Sequence, residues 1–287
     1  MNRLSLARPP VNRKPSPAQV GRDAARRRAR ERLERHAAIW SARPLLRQIY
    51  RRYHGTIDRA RCSVAGSDIE IGAGHGSFAE LRPNTVSCDI VPCPWLDCAA
   101  DASRLPFADE SLANIVMIDV LHHVDRPADF FDGAARALAS GGRILLIEPY
   151  VSPVSWVAWH YFHNENIDIQ ARPLETDDSC EDLGASDPWE ANVAVPTLLF
   201  WRDIEAFHRR FPVLSVIRRE RFDSLLFPLS GGFEMRQWVP LSLAPVVRAV
   251  ERLLTPFAPL LAFRCLVVIE KKAADIEVLP RCGTQTQ

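Results

Sequence analysis

Hydrophobic residues are arranged in two patterns along the chain, one typical of buried strands and one typical of helices. Short apolar runs, typical of strands buried on both faces, occur at residues 68–71, 85–90, 112–119 and 142–148. Between the last two runs, Phe130, Phe131 and Ala134 recur with helical period before a glycine pair at 141–142. Strand, helix, strand in this order predicts right-handed crossovers in a parallel sheet, with the helix ending at the glycines.

Further helices and strands are predicted on both sides of this region. The helical patterns lie at residues 23–36, 39–53, 201–211 and 245–261, and the strand patterns at 213–220 and 263–271. The pattern is lost over residues 151–200, which we interpret as an insertion over the sheet edge. The apolar stripe of the helix at 245–261 is expected to face the core, with a hydrophobic face for lipid or a partner chain as the alternative.

Composition and charge narrow the class of protein. The 287 residues are 47% hydrophobic and 25% charged, which excludes a collagen, a wholly disordered chain and a small disulfide scaffold. Residues 1–61 hold 17 basic and 4 acidic side chains, although the net charge of the whole chain is only +1. This predicts a basic arm on an acidic body. The arm could contact an acidic membrane surface or a partner; it lacks interleaved aromatic residues, which disfavours nucleic acid.

Targeting and metal signals are weak. The first 20 residues contain no apolar secretory segment, and the longest apolar stretch, at 253–269, is interrupted by two prolines and an arginine. We therefore expect a cytoplasmic protein without a transmembrane segment, in which peripheral membrane contact stays open. Seven cysteines without a CxxC pair indicate free thiols, and no metal site is predicted.

The most informative segment is the glycine loop after the first strand. Gly72, Gly74 and Gly76 alternate with other residues, Glu70 precedes them, and a helix is expected to follow. A bend without Cβ atoms lets a ligand approach the backbone closely. The dinucleotide pattern would need glycine at position 77, where the chain has Ser77. A carboxylate here repels a pyrophosphate and attracts a cationic ligand, which favours S-adenosylmethionine over NAD.

Two further acids follow at the ends of the next strands. Asp89, nineteen residues after Glu70, can accept hydrogen bonds from both ribose hydroxyls of a nucleoside. Asp101 can accept from an adenine amino group while the Ala102 N–H donates to the ring. The alternative for Asp101 is a helix or turn cap.

These segments together resemble a known family. EIGAGHGSF, CDI, DASRLPFADESLANIVMIDVLHHV and GGRILLIEPY occur in the order found in class I S-adenosylmethionine-dependent methyltransferases. The chain is most similar to the type 11 group, which includes quinone-biosynthesis C-methyltransferase-like proteins, and to an uncharacterised bacterial subgroup. The resemblance covers about residues 66–150 and implies S-adenosyl-L-methionine as cofactor and S-adenosyl-L-homocysteine as product.

The resemblance also implies an α/β architecture and its divisions. We expect a Rossmann-like open sheet, mostly parallel with a C-terminal antiparallel strand, in three α/β/α layers with N-terminal helices and an insert. The basic arm would span 1–37 and the methyltransferase domain 38–272, followed by a polar tail at 273–287. Within the domain, residues 66–150 would bind cofactor, 151–200 would form a variable insert or lid, and 201–272 the terminal helices and strands.

The family's site residues carry over position by position. The implied cofactor-binding residues are Glu70, Gly72, Ala73, Gly74 and Gly76 around the methionine part, Asp89 and Ile90 at the ribose and adenine, Asp101 and Ala102 at adenine, and Asp119 and Val120 on the methionine side. His75 departs from the small or polar residue usual at its position.

A general base and an acceptor pocket are harder to assign, because methyl transfer from a sulfonium need not use a protein group. His122 and His123 follow the fourth strand, and we favour His123 as the base. His160 and His163 are further candidates. Tyr150, Trp156 and Trp159 could wall an acceptor pocket with His122 and His160, or form the core of the insert.

The expected function is methyl transfer to a small-molecule, lipid or lipid-linked, or saccharide acceptor. Two alternatives stay open at this point: a cofactor-binding module that performs no chemistry and acts through its basic arm, and an NAD-dependent oxidoreductase, which the acid before the glycine loop disfavours.

Overall fold

The structure, a computed structural model, describes residues 17–162, 166–175 and 191–273. The first 16 residues of the expected basic arm, the polar tail from 274 onward and the base candidate His163 lie outside the described residues. The strands are β1 (Ser67–Ile71), β2 (Val86–Asp89), β3 (Cys98–Ala99), β4 (Leu112–Ile118), β5 (Leu138–Pro149), β6 (Leu214–Phe222) and β7 (Arg264–Lys271). The α-helices are α1 (Pro17–Ala42), α2 (Pro44–Ala60), α3 (Pro127–Ala137), α4 (Pro153–Phe162), α5 (Val195–Thr197), α6 (Ile204–Arg210), α7 (Leu226–Ser230), α8 (Ala244–Leu254) and α9 (Ala258–Leu261).

One sheet joins all seven strands in the order β3-β2-β1-β4-β5-β7-β6. β1 to β5 pair in parallel, whereas β7 runs antiparallel to both β5 and β6. The carboxyl ends of β1, β2 and β4 therefore meet at one edge, where an open α/β sheet binds its ligands. The expected Rossmann-like fold with a C-terminal antiparallel strand is confirmed.

Apolar side chains of the central strands feed two separate cores. Along β7, Val267 and Ile269 face one core, and Leu266 and Val268 face the other. The first core includes the phenylalanines of α3 and α6, and the second includes the buried leucines of α2. Because both faces of the sheet are covered, the fold has the three layers expected from continuous apolar strands.

Two expectations about local structure were wrong. The glycine loop leads into a single 3₁₀ turn at Ser77–Glu80, not into a helix, because Pro83 and the start of β2 follow within a few residues. The helix before the glycine pair ends at Ala137, and Leu138 already belongs to β5. Leu138 is fully buried and pairs with Leu112 of β4, so tertiary pairing outweighs its helical spacing.

Most of the apolar stripe of α8 points away from the core, contrary to expectation. Val246, Val250 and Leu253 are exposed, the last to 77%. The buried side of the helix carries Ala244, Val247, which packs on the second core, and Glu251, which accepts hydrogen bonds from the backbone of α7. A periodic apolar stripe shows that a helix is amphipathic. Which side turns inward also depends on neighbouring hydrogen-bond donors, such as the α7 backbone here, that pair with its polar side chains.

Candidate active site

A cavity of about 850 Å³ lies at the carboxyl ends of β1, β2 and β4. It collects nearly all of the cofactor-binding residues proposed from the sequence. The lining includes Glu70, Gly72, Ala73, Gly74, Asp89, Ile90, Asp101, Ala102, Asp119 and Val120. Gly76 is not in the lining; it adopts a left-handed conformation and begins the 3₁₀ turn at Ser77.

The glycine loop is a left-handed bend whose members have different neighbours. Gly72, Gly74 and Gly76 have φ angles of 68°, 56° and 76°, in the region that favours glycine. A Cβ on Gly72 would lie 2.3 Å from Cγ2 of Val120, so this glycine permits close packing of the loop on the chain after β4. A Cβ on Gly74 would have no neighbour closer than 3.7 Å. Gly72 therefore serves packing, and Gly74 leaves the cavity side of the loop open.

Asp89 holds the glycine loop in place. Its Oδ2 accepts a hydrogen bond from the Gly74 N–H at 3.0 Å, and its Oδ1 accepts one from the Val91 N–H at 3.0 Å. Burial raises the pKa of Asp89, although these backbone hydrogen bonds oppose the rise. A carboxylate offers about four acceptor positions, so two remain for ligand hydroxyls. This positioning of the loop by Asp89 was not foreseen from the sequence.

Glu70 is a buried carboxyl at the tip of β1, with 6% of its surface exposed. Burial, followed by the charge of Asp89, raises its pKa to about 8. Among the residues that the structure describes, no side chain forms a hydrogen bond or ion pair with this carboxyl. A ligand that brings a cation or hydroxyl donors is therefore well matched to it.

Asp101 caps the turn that follows β3. Its Oδ1 accepts hydrogen bonds from the Ser103 N–H at 2.8 Å and from the Ser103 hydroxyl at 2.7 Å. The capping alternative is therefore present, at a residue that also lines the cavity. Contact with adenine stays a prediction for Asp101 and Ala102.

Asp119 lies at the centre of a charged network at the end of β4. It has φ of 60°, pairs with the buried Arg264 and accepts a hydrogen bond from the Tyr50 hydroxyl at 2.7 Å. Burial alone would raise the pKa of Asp119, but the charge of Arg264 and its hydrogen bond lower it overall. The guanidinium lies over the rings of Tyr53 and Phe227, with its carbon 5.5 and 4.6 Å from their centroids. Both oxygens of Asp119 are thus engaged within the protein.

His122 is oriented by a buried carboxylate that sequence reasoning did not select. Its Nδ1 lies 2.6 Å from Oε2 of Glu148, and Oε1 of Glu148 accepts from the N–H groups of Val120 and Leu121 at 2.9 and 2.8 Å. Glu148 is fully buried. The ring of His123 packs on that of His122 with centroids 4.2 Å apart, and both histidines line the cavity. His122 has the carboxylate partner typical of a positioned base.

The remaining acceptor-pocket candidates separate into two groups. Trp159 lines the cavity, whereas Tyr150, Trp156 and His160 do not. Tyr150 packs in the core with its ring 4.9 Å from Trp201. Trp156 and His160 stack on each other at 5.1 Å on the exposed side of α4, because the helical period directs them away from Trp159.

Three residues of the site were missed because their partners are distant in sequence. Glu148 could have been found as an acid ending a buried strand. Arg264 and Tyr50 carry no comparable local signal. His75, left unassigned, packs its ring 4.6 Å from Trp40, and burial together with the charge of His36 lowers its pKa to about 4. Within the described part of the chain, no group of three His, Cys, Asp or Glu residues could hold a metal ion.

Comparison with solved structures finds methyltransferase folds of low sequence identity. A possible histamine N-methyltransferase from Thermotoga maritima is 15% identical, with 82% of this chain and 93% of that chain covered and a TM-score of 0.46. An S-adenosylmethionine-dependent methyltransferase from Archaeoglobus fulgidus is 13% identical, with 79% and 94% covered and a TM-score of 0.46. At this level of similarity, the acceptors of these proteins do not transfer to this chain.

Comparison with protein families is more direct. Residues 69–146 match a family model described as a methyltransferase domain, whereas no curated protein matches the chain. The matched segment runs from β1 into β5 and contains the glycine loop and the four acids at the strand ends, Glu70, Asp89, Asp101 and Asp119. The narrower similarity to the quinone-biosynthesis group stays a prediction. Over residues 69–146, the chain is therefore similar in sequence to a methyltransferase domain.

Proposed function

We propose that this protein is an S-adenosylmethionine-dependent methyltransferase acting on a small-molecule, lipid or saccharide acceptor. The observation that carries the proposal is the Glu70 carboxyl, buried at the tip of β1 beside a loop without Cβ atoms. A pyrophosphate would meet like charge there, whereas an ammonium would meet a matching carboxylate. The cavity of about 850 Å³ has room for a nucleoside joined to an amino acid.

The chain's own residues suit the parts of this cofactor. Glu70 and the Gly72–Gly74 backbone would hold the amino-acid part, Asp89 the ribose, and Asp101 with Ala102 the adenine. Ile90 is half exposed and lines the cavity, so its side chain would cover one face of the base. When bound, S-adenosylmethionine supplies a methyl group already activated on its sulfonium. The protein then needs to bind, orient and exclude water.

An acceptor would lie on the side of the cavity lined by His122, Trp159 and Trp238. Glu148 beside Nδ1 favours the tautomer with the proton on that nitrogen, which places the ring's basic lone pair on Nε2. His122 is thereby suited to take a proton from an acceptor hydroxyl, amine or acidic carbon. We therefore propose His122, oriented by Glu148, as a candidate base beside His123, which the sequence favoured.

Replacing Gly74 with Val tests the assignment of the loop. A Cβ at this position meets no protein atom closer than 3.7 Å, so the fold is expected to persist while the branched side chain projects toward the cofactor's place. We expect S-adenosylhomocysteine to bind at least about 100-fold more weakly by isothermal titration calorimetry.

The matched control is Gly141→Val, because Gly141 also has positive φ, 77°, but lies outside the cavity lining. It imposes comparable backbone strain and should leave the affinity unchanged. Unchanged affinity in the Gly74 variant would remove the loop assignment. Tight binding by the wild type without turnover on any acceptor would favour the non-catalytic alternative.

Replacing Glu148 with Gln tests how His122 is oriented. In ¹⁵N-histidine-labelled protein at neutral pH, we expect the wild-type His122 signals of the Nδ1–H tautomer. The amide can donate as well as accept, so the variant should show a mixture of tautomers. His208, whose Nε2 lies 3.3 Å from the Val216 N–H outside the site, serves as internal reference. Identical His122 spectra in both proteins would exclude an orienting role for Glu148.

A further inference from the structure

Exposed apolar side chains are concentrated on one part of the surface. Of the eighteen large apolar side chains exposed in the described part of the chain, four lie on α4 and eight lie between residues 238 and 260. Trp238 and Tyr161 are exposed to 70% and 71%. α4 packs against α9, which follows α8 after one 3₁₀ turn, so the two groups adjoin. We call these twelve side chains the apolar platform. Single exposed apolar residues are normal on a protein surface, but this platform is larger than such scattered residues would form.

The helix α8 exposes most of its apolar side chains. Its inward side carries Val247, which packs on the second core, and Glu251, which accepts hydrogen bonds from the N–H groups of Leu225 and Leu226 at 2.8 and 2.7 Å. Arg248 is also partly buried. The outward side carries apolar residues, and beyond the helix Phe257 and Leu260 are 55% and 53% exposed. A water-facing surface would normally present the charges and bury the apolar stripe.

The charges exposed on the platform's own segments are basic. Glu251 is the sole acid between residues 238 and 260, and it is turned inward; residues 151–162 contain no acid. Arg252 is exposed on α8. Beside the platform the charge is mixed, because Arg32 and His36 of α1 contact Glu234, four residues before Trp238, at 2.9 and 3.1 Å, and Glu34 of α1 is exposed. A surface that is apolar and carries basic groups without exposed acids complements a surface with an apolar interior and anionic groups.

We infer that the apolar platform docks this protein on a lipid bilayer that contains anionic lipid. Tryptophan and tyrosine beside leucine, valine and phenylalanine are the side chains that favour the headgroup boundary, and the exposed Arg252 is attracted by anionic headgroups. Among the described helices, none is both long and apolar enough to cross a membrane, so the contact is interfacial. A protein partner would need its own apolar surface of the same shape, and nothing in the platform's charge pattern selects one.

The platform also borders the proposed active site. Trp238 belongs both to the platform and to the cavity lining, and Ala158 and Trp159 line the cavity from the inner side of α4. Docking would therefore bring the cavity close to the membrane, where a lipid or lipid-linked acceptor resides. This last link rests on the proposed function, whereas docking itself does not.

Vesicle flotation of the full chain tests the inference. The probes are vesicles of phosphatidylcholine alone and vesicles with about one third phosphatidylglycerol, at low salt. We expect the wild type to float with the anionic vesicles. Leu253→Glu with Phe257→Glu should lower the ratio of bound to free protein at least about 100-fold, because each apolar side chain kept from burial loses about tenfold or more.

The control variant, Leu81→Glu with Val213→Glu, changes two similarly exposed apolar residues outside the platform and should float like the wild type. Titration with S-adenosylhomocysteine without vesicles should give one affinity for all three proteins, so a failure of the proposed function is seen separately. The inference is overturned if the wild type does not float, or if the platform variant floats equally. It is also overturned if light scattering shows a dimer that the platform variant dissociates while no vesicles are bound.

Discussion

Replacing Glu70 with Gln is expected to stabilise the protein above pH 8 and to weaken cofactor binding at the same pH. The folded state raises the pKa of Glu70 from an ordinary value of 4.5 to about 8, first through burial and then through the charge of Asp89. Between these two values the folded protein holds a proton that the unfolded chain has released. Stability of the wild type therefore falls as pH rises from 4.5 to 8, and the loss is complete above that range.

The glutamine variant lacks this loss, so the two proteins should diverge with increasing pH. At pH 8.5 we expect the variant to be more stable by on the order of 2–4 kcal/mol, or roughly 4–12 °C in Tm for a chain of this size. At pH 5 the difference should be small. Urea unfolding at both pH values measures it. Glu80→Gln, which removes an exposed carboxylate from the 3₁₀ turn after the glycine loop, is the matched control.

Binding should change in the opposite direction. Loss of a carboxylate that receives a cationic group costs about 10- to 100-fold in affinity for S-adenosylhomocysteine. At pH 7 the wild type should also release up to one proton when ligand binds, which appears as a dependence of the binding enthalpy on buffer ionisation. The variant should release none through this position. If the variant is no more stable than the wild type and binds S-adenosylhomocysteine equally tightly, the Glu70 carboxylate neither destabilises the fold nor contributes to binding.

The parts of the fold that sequence could predict are those in which neighbouring residues decide the outcome. Residues 112–119 are apolar without interruption, and a strand buried on both faces needs this composition whatever surrounds it. The bend at Gly72 and Gly74 requires positive φ angles, and the glycines alone are enough to predict it. For the same reason, the positions of Asp89 and Asp101 at strand ends followed from local pattern and the order of the strands.

The parts that sequence could not predict depend on contacts between distant segments. Glu148 meets His122 because β4 and β5 are adjacent and parallel, and the register of that pair is not encoded in either strand alone. Which side of α8 faces outward depends on Glu251, which accepts a hydrogen bond from the Leu226 N–H at the start of α7, 25 residues earlier in the chain. Trp156 and Trp159 are three residues apart, and only the packing of α4 decides which one reaches the cavity.

Replacing Arg264 with Met should destabilise the protein by about 2–4 kcal/mol, since it leaves Asp119 partly buried without its charged partner. The pKa of Asp119 is below its ordinary value of 3.8 in the folded state, so this carboxylate contributes stability above that value and loses it as pH falls further. The ion pair is therefore fully formed at pH 7, and urea unfolding there measures its removal. Arg221→Met is the matched control, because that guanidinium also lies over aromatic rings, 5.0 Å from those of Tyr150 and Trp201, and has no carboxylate partner among the described residues.

A double-mutant cycle separates the ion pair from the packing of the guanidinium on Tyr53 and Phe227. Asp119→Asn alone leaves the buried Arg264 without its counter-charge and should also destabilise the fold. In the double variant neither charge remains, so its cost should fall short of the sum of the single costs by at least about 1 kcal/mol. If the costs add, the arginine acts through stacking, and Asp119 is held by Tyr50 alone. A shortfall would mean that the charge pair fixes the left-handed residue at the end of β4, and with it the Val120 side chain against which Gly72 packs. The glycine loop would then depend on β7, the strand most distant from it in sequence.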